Sequence, residues 1–108
     1  MLNHQKLICY RLALELARRM PVLIEKWPGY LSDQLKRALS SIVLNIGEGN
    51  GRTYPKERKR FFAIARGSAT EVASIIDFAY AIHLVSNEEH KYQQDALLQI
   101  VKMLWKLP

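Results

Sequence analysis

The sequence holds 108 residues, 49% of them hydrophobic, with 16 Lys+Arg against 10 Asp+Glu and a formal net charge of +6. That is enough apolar material for one packed domain and too much for a disordered tail. No apolar run approaches the ~20 residues of a membrane span, the single cysteine, Cys9, excludes an internal disulfide, and the basic excess points toward polyanions.

Only four prolines and five glycines punctuate the chain, and three of the glycines fall in one stretch, so long helices are favoured. The first is expected over about 3–26. Asn3 can cap it, and Cys9, Ala13, Leu16, Met20 and Leu23 or Ile24 recur at helical steps. Its opposite face carries Arg11, Glu15, Arg18, Arg19, Glu25 and Lys26, with Arg11–Glu15 and Glu15–Arg19 spaced for weak pairing. Pro21 removes a donor inside this pattern and predicts a kink. Trp27-Pro28-Gly29-Tyr30 reads as a tight turn whose aromatics close one end of the core.

Ser32 is a candidate cap for a second helix over 31–49, with Leu35, Ala38 or Leu39, Ile42, Val43 and Ile46 as its stripe. A third helix is expected over 55–84, opened by Pro55, whose missing N–H costs nothing in a first turn. Phe61, Phe62, Ile64, Ala65, Ala69, Val72, Ala73, Ile76, Ala79 and Ile82 are its inward candidates. Ser86 and Glu89 form a capping box for a fourth helix over 87–106, which carries Ala96 or Leu97, Ile100, Val101, Leu104 and Leu107. Short connections make neighbours antiparallel, so the fold class is all-α: a single-domain, up-down-up-down four-helix bundle.

The stretch from Asn45 to Glu71, NIGEGNGRTYPKERKRFFAIARGSATE, is the turn of the central hairpin. Gly47, Gly49 and Gly51 are expected to supply the positive φ that ends a helix. For two antiparallel helices centred near Tyr54, Glu48 falls opposite Arg60, Ser41 opposite Gly67, and Arg37 opposite Glu71. Arg37, Ser41, Asn45 and Glu48 share one face, so a polar seam formed with Arg60, Gly67, Ser68 and Glu71 is expected, with Gly67 allowing close approach. The competing reading is a set of ordinary solvated charges.

Arg52, Lys56, Arg58 and Lys59 crowd the hairpin turn and are the candidate contacts to a phosphate backbone, with Arg18, Arg19 and Lys36 as secondary candidates. No base-reading module accompanies them, so recognition would be by charge and shape. The alternative is a solvated basic face without a ligand. Leu44, Ile75, Phe78, Leu98, Met103 and Trp105 fall off the main stripes, which points to self-association.

Catalysis is not expected. Gly47-x-Gly49-x-Gly51 lacks the Gly-Lys-Ser/Thr ending of a phosphate loop and follows a helix. His4, His83 and His90 are scattered, so neither a metal nor another cofactor is implied. Glu48 and Glu71 each have an Arg candidate, which disfavours acid catalysis by a carboxyl pair.

The run QLKRALSSIVLNIGEGNGR followed by RFFAIARGSATEV resembles the four-helix-bundle proteins of intervening sequences in bacterial 23S ribosomal RNA genes, the S23-type family. The matching residues are Gln34, Arg37, Ala38, Ser41, Ile42, Asn45, Ile46, Glu48, Gly49, Arg52, Glu57, Arg60, Phe61, Ile64, Ala65, Gly67, Ser68 and Glu71. The resemblance implies a small, non-enzymatic bundle that assembles into a homopentameric ring with a basic surface. A related branch is similar to the accessory variability determinant of diversity-generating retroelements, which implies RNA or DNA and a reverse transcriptase as partners. The other reading it leaves open is a structural protein–protein scaffold with no nucleic-acid ligand. Arg58 and Lys59 make the hairpin start more basic than the family pattern, and Tyr54-Pro55 replaces its small polar cap. A cytoplasmic protein without a membrane partner is expected.

Overall fold

A computed structural model describes the backbone of residues 4–107 and the side chains of residues 6–107. The proposed cap Asn3 and the side chain of His4 lie outside the described residues. Four helices form where the apolar period places them: α1 (His4–Leu23), α2 (Gly29–Asn50), α3 (Pro55–Ala81) and α4 (Asn87–Lys106). Each packs on two others in a closed cycle, α1 on α2, α2 on α3, α3 on α4 and α4 on α1, in a bundle 43 Å long. The α2–α3 hairpin is its most extensive interface.

The core runs along the axis. Cys9, Ala13 and Leu16 of α1, Leu35, Ile42 and Ile46 of α2, Phe62, Val72 and Ile76 of α3, and Ile100 and Leu104 of α4 are all buried. Each Leu, Ile, Val or Phe among them contributes about 1.5–3 kcal/mol on leaving water. The Cys9 thiol faces the Ile100 carbonyl at 3.8 Å, and burial pushes its pKa up to about 12. Ile75, expected off the stripe, is 6% exposed and belongs to this core, whereas Ile64 and Ile82, expected inward, are exposed.

The helix ends differ from their sequence expectation in instructive ways. Pro21 lies in the last turn of α1, and the helix closes at Leu23 before reaching Lys26. Trp27 then turns inward, its Nε1–H donating to the Leu84 carbonyl at 3.4 Å, and closes the core; Tyr30 stays 61% exposed. The extended Pro28 precedes α2, so Ser32 is not its cap; it sits one turn inside and donates to the Gly29 carbonyl at 3.2 Å.

Helix α3 stops at Ala81, not Leu84. His83 takes φ 66°, its N–H reaches Tyr80 O at 3.1 Å, and the Leu84 N–H reaches Ala79 O at 2.8 Å. This is a Schellman ending with histidine where glycine is usual. At α4, Ser86 Oγ accepts from the Glu89 N–H at 3.1 Å, but the Glu89 carboxylate does not complete the box. It turns instead to Arg19 and Gln93.

The glycines of the central turn act differently from expectation. No described glycine has positive φ; Gly51, which caps α2, has φ −88°. Gly47 and Gly49 are ordinary helical residues, and the reason for Gly49 is space. A Cβ there would stand 2.5 Å from Cε1 and 2.8 Å from Cδ1 of Phe62, a ring only 1% exposed. The close approach of α2 and α3 is therefore made by Gly49. Gly67, assigned that role from the sequence, is exposed and has nothing within 4 Å of its Cβ direction.

Opposite signs follow for two substitutions in one helix. Gly49→Ala must displace a packed ring and is expected to destabilise by about 1–3 kcal/mol. Gly47→Ala meets only Tyr10 Cε1 at an ordinary 3.6 Å and gains about 0.4–1 kcal/mol from reduced freedom of the unfolded chain. Urea unfolding of both variants checks the pair; equal shifts would refute the packing account.

Candidate functional site

The expected seam exists at its centre and not at its ends. Ser41 Oγ and Ser68 Oγ share a 2.7 Å hydrogen bond across the α2–α3 interface. Asn45 Nδ2 donates to the Ser41 carbonyl at 2.8 Å and to Ser41 Oγ at 3.1 Å. Ser41 thus meets Ser68, not Gly67, a shift of one position from a turn centred on Tyr54.

Glu48 does not pair with Arg60. It bonds Arg52 of its own turn at 2.8 Å, because α2 continues to Asn50 and brings position i+4 alongside. The Arg60 guanidinium lies over the Phe61 ring, 4.6 Å from its centroid, and Arg52 lies 4.9 Å from the same centroid. Arg37 and Glu71 are exposed and form no ion pair with each other. Both line an open cleft of about 420 Å³ with Tyr30, Gln34, Ile75 and Phe78.

The seven candidate cations do not form one cluster. Antiparallel packing carries Arg18 and Arg19, near the end of α1, to the start of α4, far from the hairpin turn. Arg18 bonds Glu15 at 3.0 Å, in place of the Arg11–Glu15 and Glu15–Arg19 pairs expected. Arg19 makes a forked bond to Glu89, at 2.6 and 3.2 Å, and lies 3.8 Å from the Tyr92 ring centroid. Hydrogen bonding from Arg19 holds the Glu89 carboxyl below its ordinary value, against the opposing effect of burial, with help from Gln93. The same pairing raises Arg19 further.

Arg58 is also occupied internally. Its Nη1 donates to the Thr53 carbonyl at 2.6 Å and the Arg52 carbonyl at 3.3 Å, strapping the turn between α2 and α3. Its Nε is buried without a hydrogen-bond partner. Lys36, Lys56 and Lys59 are exposed, as are Lys102 and Lys106 of α4, and none of the five has an acidic partner among the described residues. The last two were not singled out from sequence. They stand at the same end of the bundle as Lys56 and Lys59, because the start of α3 packs against the end of α4.

Two further clusters escape a linear reading. His90 Nε2 lies 2.8 Å from Asp77 Oδ1, and its ring stacks on Tyr80 with centroids 4.1 Å apart; Gln94 also donates to Asp77. Tyr80 hydroxyl bonds Asn87 Oδ1. At the other end of the same pair of helices, the Arg66 guanidinium lies 3.7 Å from the Trp105 ring centroid. These partners are nearly equidistant from the α3–α4 turn, so the pairing rule applied to α2–α3 would have found them. Among the described residues no group of three His, Cys, Asp or Glu could hold a metal ion, and no helix is long and apolar enough to cross a membrane.

Comparison with known proteins is consistent with this architecture. A family model described as 23S rRNA-intervening sequence protein matches residues 5–106. The fold is similar to that of a protein of unknown function from the S23 ribosomal protein family of Bacteroides thetaiotaomicron, with a TM-score of 0.86 and 21% identity over 94% of this chain and 95% of that one. No curated protein matches the chain.

The Arg19–Glu89 bond makes stability depend on acid. A carboxyl whose folded pKa is depressed contributes stability that is complete above its unfolded value, ordinarily 4.5, and is lost as pH falls through the lower folded value. Thermal melts from about pH 6 down to pH 3 are expected to fall more steeply for the native chain than for Glu89→Gln. At neutral pH that variant should lose about 1–2 kcal/mol, the pair being partly open to solvent. Parallel pH profiles would refute the assignment.

Proposed function

This chain belongs to the 23S rRNA-intervening sequence protein family, and we propose that it is a non-enzymatic, cytoplasmic bundle that binds the phosphate backbone of RNA or DNA as a homo-oligomer. The observation that carries this reading is the set of exposed lysines at one end of the bundle: Lys56 and Lys59 on α3, Lys102 and Lys106 on α4. An ammonium without a carboxylate partner is free to replace the condensed counterions of a polyanion. Arg52 and Arg58 contribute less than their positions suggest, since Glu48 and the turn carbonyls already engage them. Repetition of the patch around an oligomer would multiply weak contacts by avidity.

Self-association is supported by the outer face of the α2–α3 hairpin. Leu44 and Ile64, three and four residues from the Ser41–Ser68 pair, are 64% and 40% exposed, and Phe78 beside the Arg37–Glu71 cleft is 47% exposed. The family resemblance adds five as the expected number of subunits. Within this reading the sharper role is accessory subunit of a retroelement reverse transcriptase, holding enzyme and template RNA together. The apolar lining of that cleft favours the second reading, a scaffold that binds only protein.

Anisotropy titration of labelled RNA across a salt series tests the first reading. Lys56→Glu with Lys59→Glu is expected to weaken binding at least about tenfold and to flatten the salt dependence by about two phosphate contacts. Arg58 is left intact, because removing its strap would disturb the turn itself. Unchanged affinity would remove the nucleic-acid reading and leave the scaffold.

Assembly is tested separately by light scattering at micromolar concentration, where a mass near five chains is expected and a clean monomer would contradict the ring. A reverse transcriptase gene beside this one, and co-purification of its product, are expected for the retroelement role.

A further inference from the structure

We infer that Trp105, at the mouth of the cleft between the start of α3 and the end of α4, takes a single unpaired nucleobase on the indole face that Arg66 leaves open, so that the chain prefers single-stranded nucleic acid. The inference rests on the polyanion reading above and deepens it.

The cleft has a volume of about 290 Å³ and is lined by Lys59, Phe62, Arg66, Leu104, Trp105 and Leu107. Its size is below that of a pocket for a drug-sized molecule. Its chemistry divides cleanly: Phe62, Leu104 and Leu107 give an apolar floor, Trp105 an aromatic wall, Lys59 and Arg66 a cationic rim, and no acidic side chain lines it. That division matches a nucleotide, which joins a flat apolar face to a phosphate.

Trp105 is the hydrophobic member of this lining most open to water. It is 68% exposed, whereas the other tryptophan, Trp27, is buried at 8%. Arg66 covers one face of the indole at 3.7 Å from the centroid and fixes its orientation, which leaves the other face for a base. An indole held in place but left largely in water is a ready stacking surface. Lys102 and Lys106 stand three residues before and one after it on α4 and are exposed, so phosphates on either side of a stacked base have cations within the same patch. A base in a duplex already has both faces covered and cannot use such a wall, whereas an unpaired base can.

Trp105 and the buried Trp27 make the test optical. The full chain is titrated with single-stranded oligothymidine, with a DNA duplex of the same length, and with inorganic polyphosphate, which has charge and no bases. Oligothymidine is expected to quench the exposed indole well beyond the other two. Trp105→Ala is expected to bind oligothymidine about 5- to 150-fold more weakly per stacked base, with polyphosphate affinity unchanged and Trp105→Phe retaining most of the binding. The side chain lies at the surface, so an unchanged melting temperature should confirm that the variants fold. Equal oligothymidine affinity of Trp105→Ala and the native chain would overturn the inference. So would an emission shift that follows protein concentration without nucleic acid, which would assign the cleft to a second copy. If polyphosphate binds and oligothymidine binds no better, stacking alone fails; if no polyanion binds, the underlying reading fails with it.

Discussion

The contact between Gly49 and the Phe62 ring sets how the central hairpin closes. A buried aromatic from α3 lies where any side chain on α2 would have to stand. This lets two long helices approach closely enough for Ser41 and Ser68 to meet at 2.7 Å one face over. The hydroxyl pair then fixes axial position, since sliding α2 by one turn would leave a half-buried polar group unpartnered. Apolar burial supplies most of the energy here, while the glycine and the serine pair specify which arrangement of the hairpin that energy stabilises. The polar groups at the rim, Arg37 and Glu71, are left free of that task.

Electrostatics in this molecule is divided between holding the bundle and facing outward. The arginines largely hold: Arg19 ties α1 to α4, Arg58 straps a turn, Arg52 closes a helix end, and Arg66 pins an indole. The exposed lysines at the α3–α4 end face outward. The division follows from chemistry. A guanidinium offers a planar fork of donors that suits carbonyls, carboxylates and ring faces, whereas an ammonium on a flexible stem is well hydrated and stays at the surface. At the hairpin turn, Arg52 and Arg58 are thus engaged within the chain, while Lys56, Lys59, Lys102 and Lys106 at the same end remain exposed.

Most of the architecture was legible in the chain because period and punctuation act locally. The apolar steps from Cys9 to Met20, the Pro55 start and the Ser86 cap each report on a few neighbouring residues, and each lies where expected. The site was less legible because it depends on register between segments. A one-position shift moved the partner of Ser41 from Gly67 to Ser68 and, with the longer α2, returned Glu48 to Arg52. The glycines misled for a related reason: composition announces that a side chain is missing, not whether the backbone or a neighbour requires it. Glu89 shows the same limit. Its place three residues after Ser86 marks a helix start, but nothing local says that an arginine seventy positions earlier will claim its carboxylate.

The sulfur of Cys9 has a consequence of its own. Held at zero exposure between α1 and α4, with its ionisation suppressed to about 12, it offers neither access nor a thiolate to alkylating or oxidising reagents. Chemical labelling can reach it only in molecules where the packing between the first helix and its neighbours has opened. The speed of that labelling counts such openings, giving the chain a built-in clock for the loosening around its amino-terminal layer.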